Sequence, residues 1–110
     1  MKKIYIAGPY TNGDTEQNVH NAMDAANEVI NAGLVPFVPH LTHYLHERHP
    51  HPYETWIAID LAFLMDCDVL LRLPGESPGA DREVEYANAW GIPVFYSMES
   101  LLAFTKGVLQ

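Results

Sequence analysis

The sequence predicts an α/β fold: one three-layer domain with a doubly wound parallel sheet of four to five strands. Three observations carry this. Short apolar runs alternate with stretches of helical period, and parallel strands joined by crossover helices produce that alternation. The first three runs are each closed by proline or glycine, at Gly8-Pro9, Pro39 and Pro74-Gly75, residues that end strands and start turns. The chain has 110 residues, 48% of them hydrophobic, enough for one buried core and too few for a second domain.

Taken in order, Ile4–Ala7 reads as a buried first strand. Asp14 is placed to cap a helix, with Gln17 as the answering member of a capping box. Behind it Val19, Ala22, Met23, Ala26, Val29 and Ile30 recur at three- and four-residue spacing, one apolar stripe of an amphipathic helix that Gly33 stops. Leu34–Val38 is the second strand, and Pro36 puts it at a sheet edge. Pro39–Pro52 reads as a loop rich in histidine and proline. Tyr53–Asp66 follows as a helix apolar on nearly every side. Val69–Leu73 is the third strand, and a loop from Gly75 leads into a helix that runs through Trp90 and stops at Gly91. Ile92–Tyr96 is the fourth strand, and Ser97 caps a short helix over Met98–Phe104.

Fourteen acidic against six basic side chains give a formal net charge of -8. That balance argues against nucleic-acid polymers and anionic membranes as partners. No apolar run is long enough to span a bilayer, and the apolar run near Met1 is too short for a signal peptide. Cys67, the one cysteine, fits a reducing compartment. A cytoplasmic protein is the expectation.

Ligands of such sheets sit beyond the carboxyl ends of the strands, which directs attention to Gly8–Gly13, Pro39–Pro52 and Pro74–Ala80. Asp60 is the one polar residue between Trp56 and Met65. A carboxylate so surrounded needs a partner or a proton; it is either bonded to a neighbouring backbone or functional. Ser77-Pro78-Gly79-Ala80 at a strand-to-helix turn leaves backbone N–H groups free for a ligand. Glu83 falls one helical turn past Gly79, on the same face. Acidic enrichment at a helix N-terminus explains it equally well. Tyr5 is either core with a satisfied hydroxyl or, if it faces the crevice, the group that orients a carboxylate.

His40, His43, His46, His49 and His51 crowd one stretch, yet without cysteine or a matching acidic ligand they read as a lid or subunit-contact loop, with no metal bound. Cys67 between Asp66 and Asp68 is unsuited to act as a thiolate. Neither a dinucleotide fingerprint nor a Gly-Lys-Ser/Thr phosphate loop is present.

Together these residues resemble the nucleoside 2-deoxyribosyltransferase superfamily, which includes the 2'-deoxynucleoside 5'-monophosphate N-glycosidases. The resemblance rests on Ile4–Thr11, Asp60-Leu61, Cys67-Asp68-Val69, Pro74–Ala80 and Glu83, and so covers most of the chain. It implies a flavodoxin-like or Rossmann-like domain with Glu83 as nucleophile, Asp60 as the acid that assists departure of the base, and Tyr5 as the residue that positions the nucleophile. It further implies that Gly8, Pro9 and Tyr10 hold the sugar or 5' end, with Ser77, Gly79, Ala80 and Arg82 around a 5'-phosphate. The serine at Ser77, where the nucleoside transferases carry aspartate, tilts the resemblance toward the nucleotide hydrolases. Asp81 departs from their pattern by standing where they repeat glycine, and Arg82 or Arg72 is left to offset its charge. The implied activity is hydrolysis of the base–sugar bond of a (2'-deoxy)nucleoside 5'-monophosphate. Base exchange between deoxynucleosides and a non-catalytic nucleotide-binding module are the alternatives. No cofactor is implied. The implied partner is one small nucleotide or nucleoside, and a homo-oligomer is expected, with Trp90, Tyr96, Met98 and the histidine stretch as contact candidates.

Overall fold

Strand β1 (Lys3–Ala7) is central to the sheet, and apart from Lys3 every residue in it is buried. The computed structural model describes residues 2–106. After β1 come α1 (Thr15–Asn31), β2 (Val35–Phe37), a 3-10 turn (Pro39–Thr42), α2 (His43–Arg48), α3 (Tyr53–Leu64), β3 (Val69–Arg72), α4 (Pro78–Ala89), β4 (Val94–Phe95) and α5 (Met98–Thr105). The strands form one parallel sheet in the order β2-β1-β3-β4. Pro36 lies on the edge strand β2, where its missing N–H costs no ladder bond.

Because side chains alternate along a strand, the sheet serves two cores. Ile4 and Ile6 of β1 and Val69 and Leu71 of β3 pack with α1 and with Leu101 of α5. Tyr5, Ala7 and Leu70 point the other way, toward Leu64 of α3 and Ala80 and Ala87 of α4. This is the expected three-layer, doubly wound α/β architecture. The chain winds outward from β1 to β2, then crosses back to β3. The crevice between the carboxyl ends of β1 and β3 is therefore the switch point where such folds bind ligands.

Two glycines let the loops at that switch point close on each other. A Cβ on Gly8 would lie 2.9 Å from Leu73 Cβ, and one on Gly75 would lie 2.8 Å from Pro9 Cγ. Gly75 also takes φ +113°, a conformation that side chains disfavour.

Several local expectations change. Asp14 caps α1 by accepting from the Gln17 N–H at 3.1 Å, but the Gln17 side chain bonds Asn21 instead of closing a capping box. In α1 the buried residues are Val19, Ala22, Ala25, Ala26 and Val29. Met23 and Ile30 are exposed, because they lie roughly 80–100° around the helix from Ala22. The histidine stretch is not a plain loop, since its prolines flank α2 without interrupting it. The helix through Tyr53 ends at Leu64, and β4 keeps only Val94 and Phe95.

Candidate active site

Tyr5 is fully buried on the α3/α4 face of the sheet. Its hydroxyl donates to Oε2 of Glu83, which α4 delivers from its second turn and which is also buried. The position of α4 is set by a cap: Ser77 Oγ accepts from the Ala80 N–H at 3.1 Å, and Pro78 occupies the first turn, where a missing N–H is harmless. Asp60 approaches from α3, and its Oδ1 is buried with no hydrogen-bond partner.

These groups border a cavity of about 320 Å³, within the range of small-molecule sites. Of the residues expected from the sequence, Gly8, Tyr10, Asp60, Ser77, Gly79, Ala80 and Glu83 line it, and Tyr5 sits behind Glu83. Two do not reach it. Pro9 turns away to border a smaller cavity with Leu73 and Pro74. Arg82, about 100° around α4 from Glu83, points instead to Glu54 at 3.4 Å.

Arg72 does not line the cavity either. Its guanidinium donates to the Leu73 carbonyl, to the Gly75 carbonyl at 3.0 Å and to Asp81 Oδ1 at 2.9 Å. Asp81 is thus paired, and it too lies outside the cavity lining. Among the described residues no lysine or arginine lines the cavity.

The sequence left out a set of lining residues that α3 contributes beside Asp60. Tyr53, Trp56, Ile57 and Asp60 all line the cavity and fall at the spacing of a single helix face. That spacing was the available signal, hidden by a helix apolar all round. His40, Thr42, His46 and His51 complete that side. Trp56 donates its indole N–H to His46 Nδ1 at 2.7 Å. The histidine stretch is thereby a wall of the cavity. Among the described residues no group of three or more His, Cys, Asp or Glu side chains is placed to hold a metal ion. Of the contact candidates, Trp90 and Tyr96 are exposed, whereas Met98, the first residue of α5, packs against the core.

Burial acts on both carboxyls, and hydrogen bonding distinguishes them. Burial pushes Asp60 up to about 7. Burial also raises Glu83, to about 7, with the Asp60 charge adding to the rise and the Tyr5 hydroxyl and Arg72 opposing it. Tyr5 is held far above the ordinary tyrosine value, first by burial and then by Glu83, and so remains a donor. A donated hydrogen bond favours the ionised carboxylate, whereas a buried, unpartnered oxygen favours the acid. Both carboxyls thus titrate near neutral pH, and the Tyr5 bond and Arg72 are what favour the charge on Glu83. Burial, followed by the charge of Asp68, pushes the Cys67 thiol up to about 11, in keeping with a packing role.

A family model described as a domain of unknown function (DUF7768) matches residues 2–97, and the chain belongs to that family. Among curated proteins none matches the sequence. Solved structures share its fold. A 2-deoxyribosyltransferase from Bacillus psychrosaccharolyticus aligns with TM-score 0.59 and 20% identity over 84% of this chain and 69% of its own. A conserved protein from Enterococcus faecalis V583 aligns with TM-score 0.70 and 22% identity, over 86% and 61% respectively. A 2-deoxyribosyltransferase from Leishmania mexicana gives 0.63 and 20%, over 86% and 63%. The chain therefore spans between 61% and 69% of these proteins' lengths, and at this identity the likeness is one of fold.

Proposed function

We propose that this DUF7768 protein cleaves the base–sugar bond of a (2'-deoxy)nucleoside 5'-monophosphate, with Glu83 as nucleophile. The observation that carries this reading is a pair of carboxyls on one cavity, the buried Glu83 holding a donated hydrogen bond from Tyr5 and the half-buried Asp60 with one buried oxygen that has no partner. Breaking an N-glycosidic bond develops positive charge at C1', and an ionised Glu83 traps it covalently. The departing base needs a proton, and Asp60 in its acid form supplies it. Water then attacks C1' and releases the sugar from Glu83, with Asp60, now ionised, taking the proton. Tyr5 keeps Glu83 aimed and charged. Ser77 and Gly79 at the N-terminus of α4 favour an anionic 5' group there.

A second reading is base transfer between unphosphorylated nucleosides. It is favoured by the pairing of Arg72 with Asp81 and of Arg82 with Glu54, which leaves no cationic side chain on the cavity among the described residues. Nucleosides and their 5'-monophosphates, each incubated with and without a free acceptor base, separate these readings by product. Free base from the monophosphate supports the first, and a new nucleoside supports the second. Saturable binding without product leaves a nucleotide-binding module. The proposal extends to self-association through the exposed Trp90 and Tyr96 surface, measured by light scattering.

A further inference from the structure

Tyr10 and His40 line the same cavity but take no part in the chemistry above. Their hydrogen bonds fix which way each can act. His43 Nε2 lies 3.1 Å from Oε1 of Glu47, one turn along α2. A carboxylate only accepts, so in the neutral ring Nε2 carries the hydrogen and Nδ1 is an acceptor. Tyr10 Oη lies 2.5 Å from that Nδ1, so against the neutral ring the phenol hydrogen is committed to His43 and only lone pairs remain on the oxygen.

His40 reaches the same condition by another route. Its Nε2 lies 3.2 Å from the Gly8 carbonyl oxygen and 3.0 Å from that of Pro9. Carbonyls only accept, so Nε2 again carries the hydrogen. His40 is 5% exposed, and burial lowers its pKa and keeps the ring neutral. Its Nδ1 is therefore a bare acceptor, and this atom is buried without a partner. A buried acceptor left unpaired is costly. The two rings meet edge-on with centroids 6.3 Å apart, and both residues line the one cavity.

We propose that Tyr10 and His40 form a hydroxyl-reading subsite: they accept from a neutral O–H donor of the ligand and reject an anionic oxygen or a missing hydroxyl at that place. On the nucleoside or nucleotide reading above, on which this inference rests, the donor is a sugar hydroxyl. His43 and Glu47 are positioning residues that set the direction of the Tyr10 hydrogen.

The test measures binding to the Glu83→Gln protein, so that turnover does not intrude. The probes are 2'-deoxyadenosine and its analogues lacking the 3' or the 5' hydroxyl, and the 3' pair is repeated as 5'-monophosphates. Loss of one hydroxyl should weaken binding about 10-fold or more, and Tyr10→Phe should shrink that penalty to within about 2-fold. Glu47→Gln, at an exposed position where folding is not at risk, should reduce the penalty in part. A loss of fold stability changes both members of a pair alike, so the ratio reports recognition alone. If no hydroxyl matters, or if the penalty persists undiminished in Tyr10→Phe and Glu47→Gln, the subsite is refuted. Base release by the wild-type protein then still stands for the glycosidic reading. If no probe binds and the wild type releases no base, both fail together.

Discussion

Three side chains in different environments carry the proposed chemistry. Glu83 has the Tyr5 hydroxyl as donor, and Asp60 Oδ1 has none. Tyr5→Phe removes the bond that holds Glu83 down, so its pKa should rise further. The acid limb of the kcat/KM profile should therefore move to higher pH, with kcat lower by about 10-fold or more. A pH–rate series on both proteins measures this. Asp60→Asn keeps the shape but removes the proton donor. It should lower turnover about 100- to 10,000-fold and abolish the basic limb, while a substrate whose leaving group needs no proton is largely spared. With an ionised Glu83 and a protonated Asp60 both required, wild-type activity should peak near neutral pH, where both carboxyls titrate as a pair.

The elements act by bringing β1, α3 and α4 to one place, and the β1–β3 loop contact is the tightest part of that arrangement. Gly8→Ala would set a Cβ 2.9 Å from Leu73 Cβ, an atom close to the backbone that cannot swing aside. The substitution should cost about 1–3 kcal/mol and lower the melting temperature, measured by thermal unfolding, while spreading the two loops that frame the cavity. Much of this layout was legible in the sequence: the strand-ending prolines and glycines located the loops, and the lone carboxyl in an apolar helix singled out Asp60. The cavity wall was less legible. Tyr53, Trp56 and Ile57 share a face with Asp60, yet in a helix apolar all round the period that would mark that face is absent. The α2 wall was obscured because its prolines lie at the flanks, where they permit a helix. Arg82 was misplaced because motif adjacency to Glu83 does not set the direction of a side chain; a 100° step does.

At the scale of the whole molecule, charge and stability are linked through the same site. Asp60 and Glu83 titrate near 7 in the fold, against ordinary values of 3.8 and 4.5. Between about pH 4 and 7 the folded chain therefore binds more protons than the unfolded chain, and stability falls as pH rises through that window. Their contribution is fully present below about pH 4 and lost above about pH 7. The net charge of -8 adds self-repulsion of the same sign. Melting temperature should fall by several degrees from pH 5 to pH 8, and the Asp60→Asn, Glu83→Gln double variant should show a flatter curve. An equal slope in both proteins would assign the whole effect to surface charge.

The central claim is that Glu83 forms a covalent bond to the sugar. Incubation with a slowly turned-over 2'-fluoro nucleoside and its 5'-monophosphate, followed by acid quench and peptide mass mapping, tests it most directly. One added sugar mass is expected on the peptide containing Glu83, with base released in equal amount, and no adduct in Glu83→Gln. Base release that proceeds without an adduct, or that survives Glu83→Gln at the wild-type rate, would contradict it.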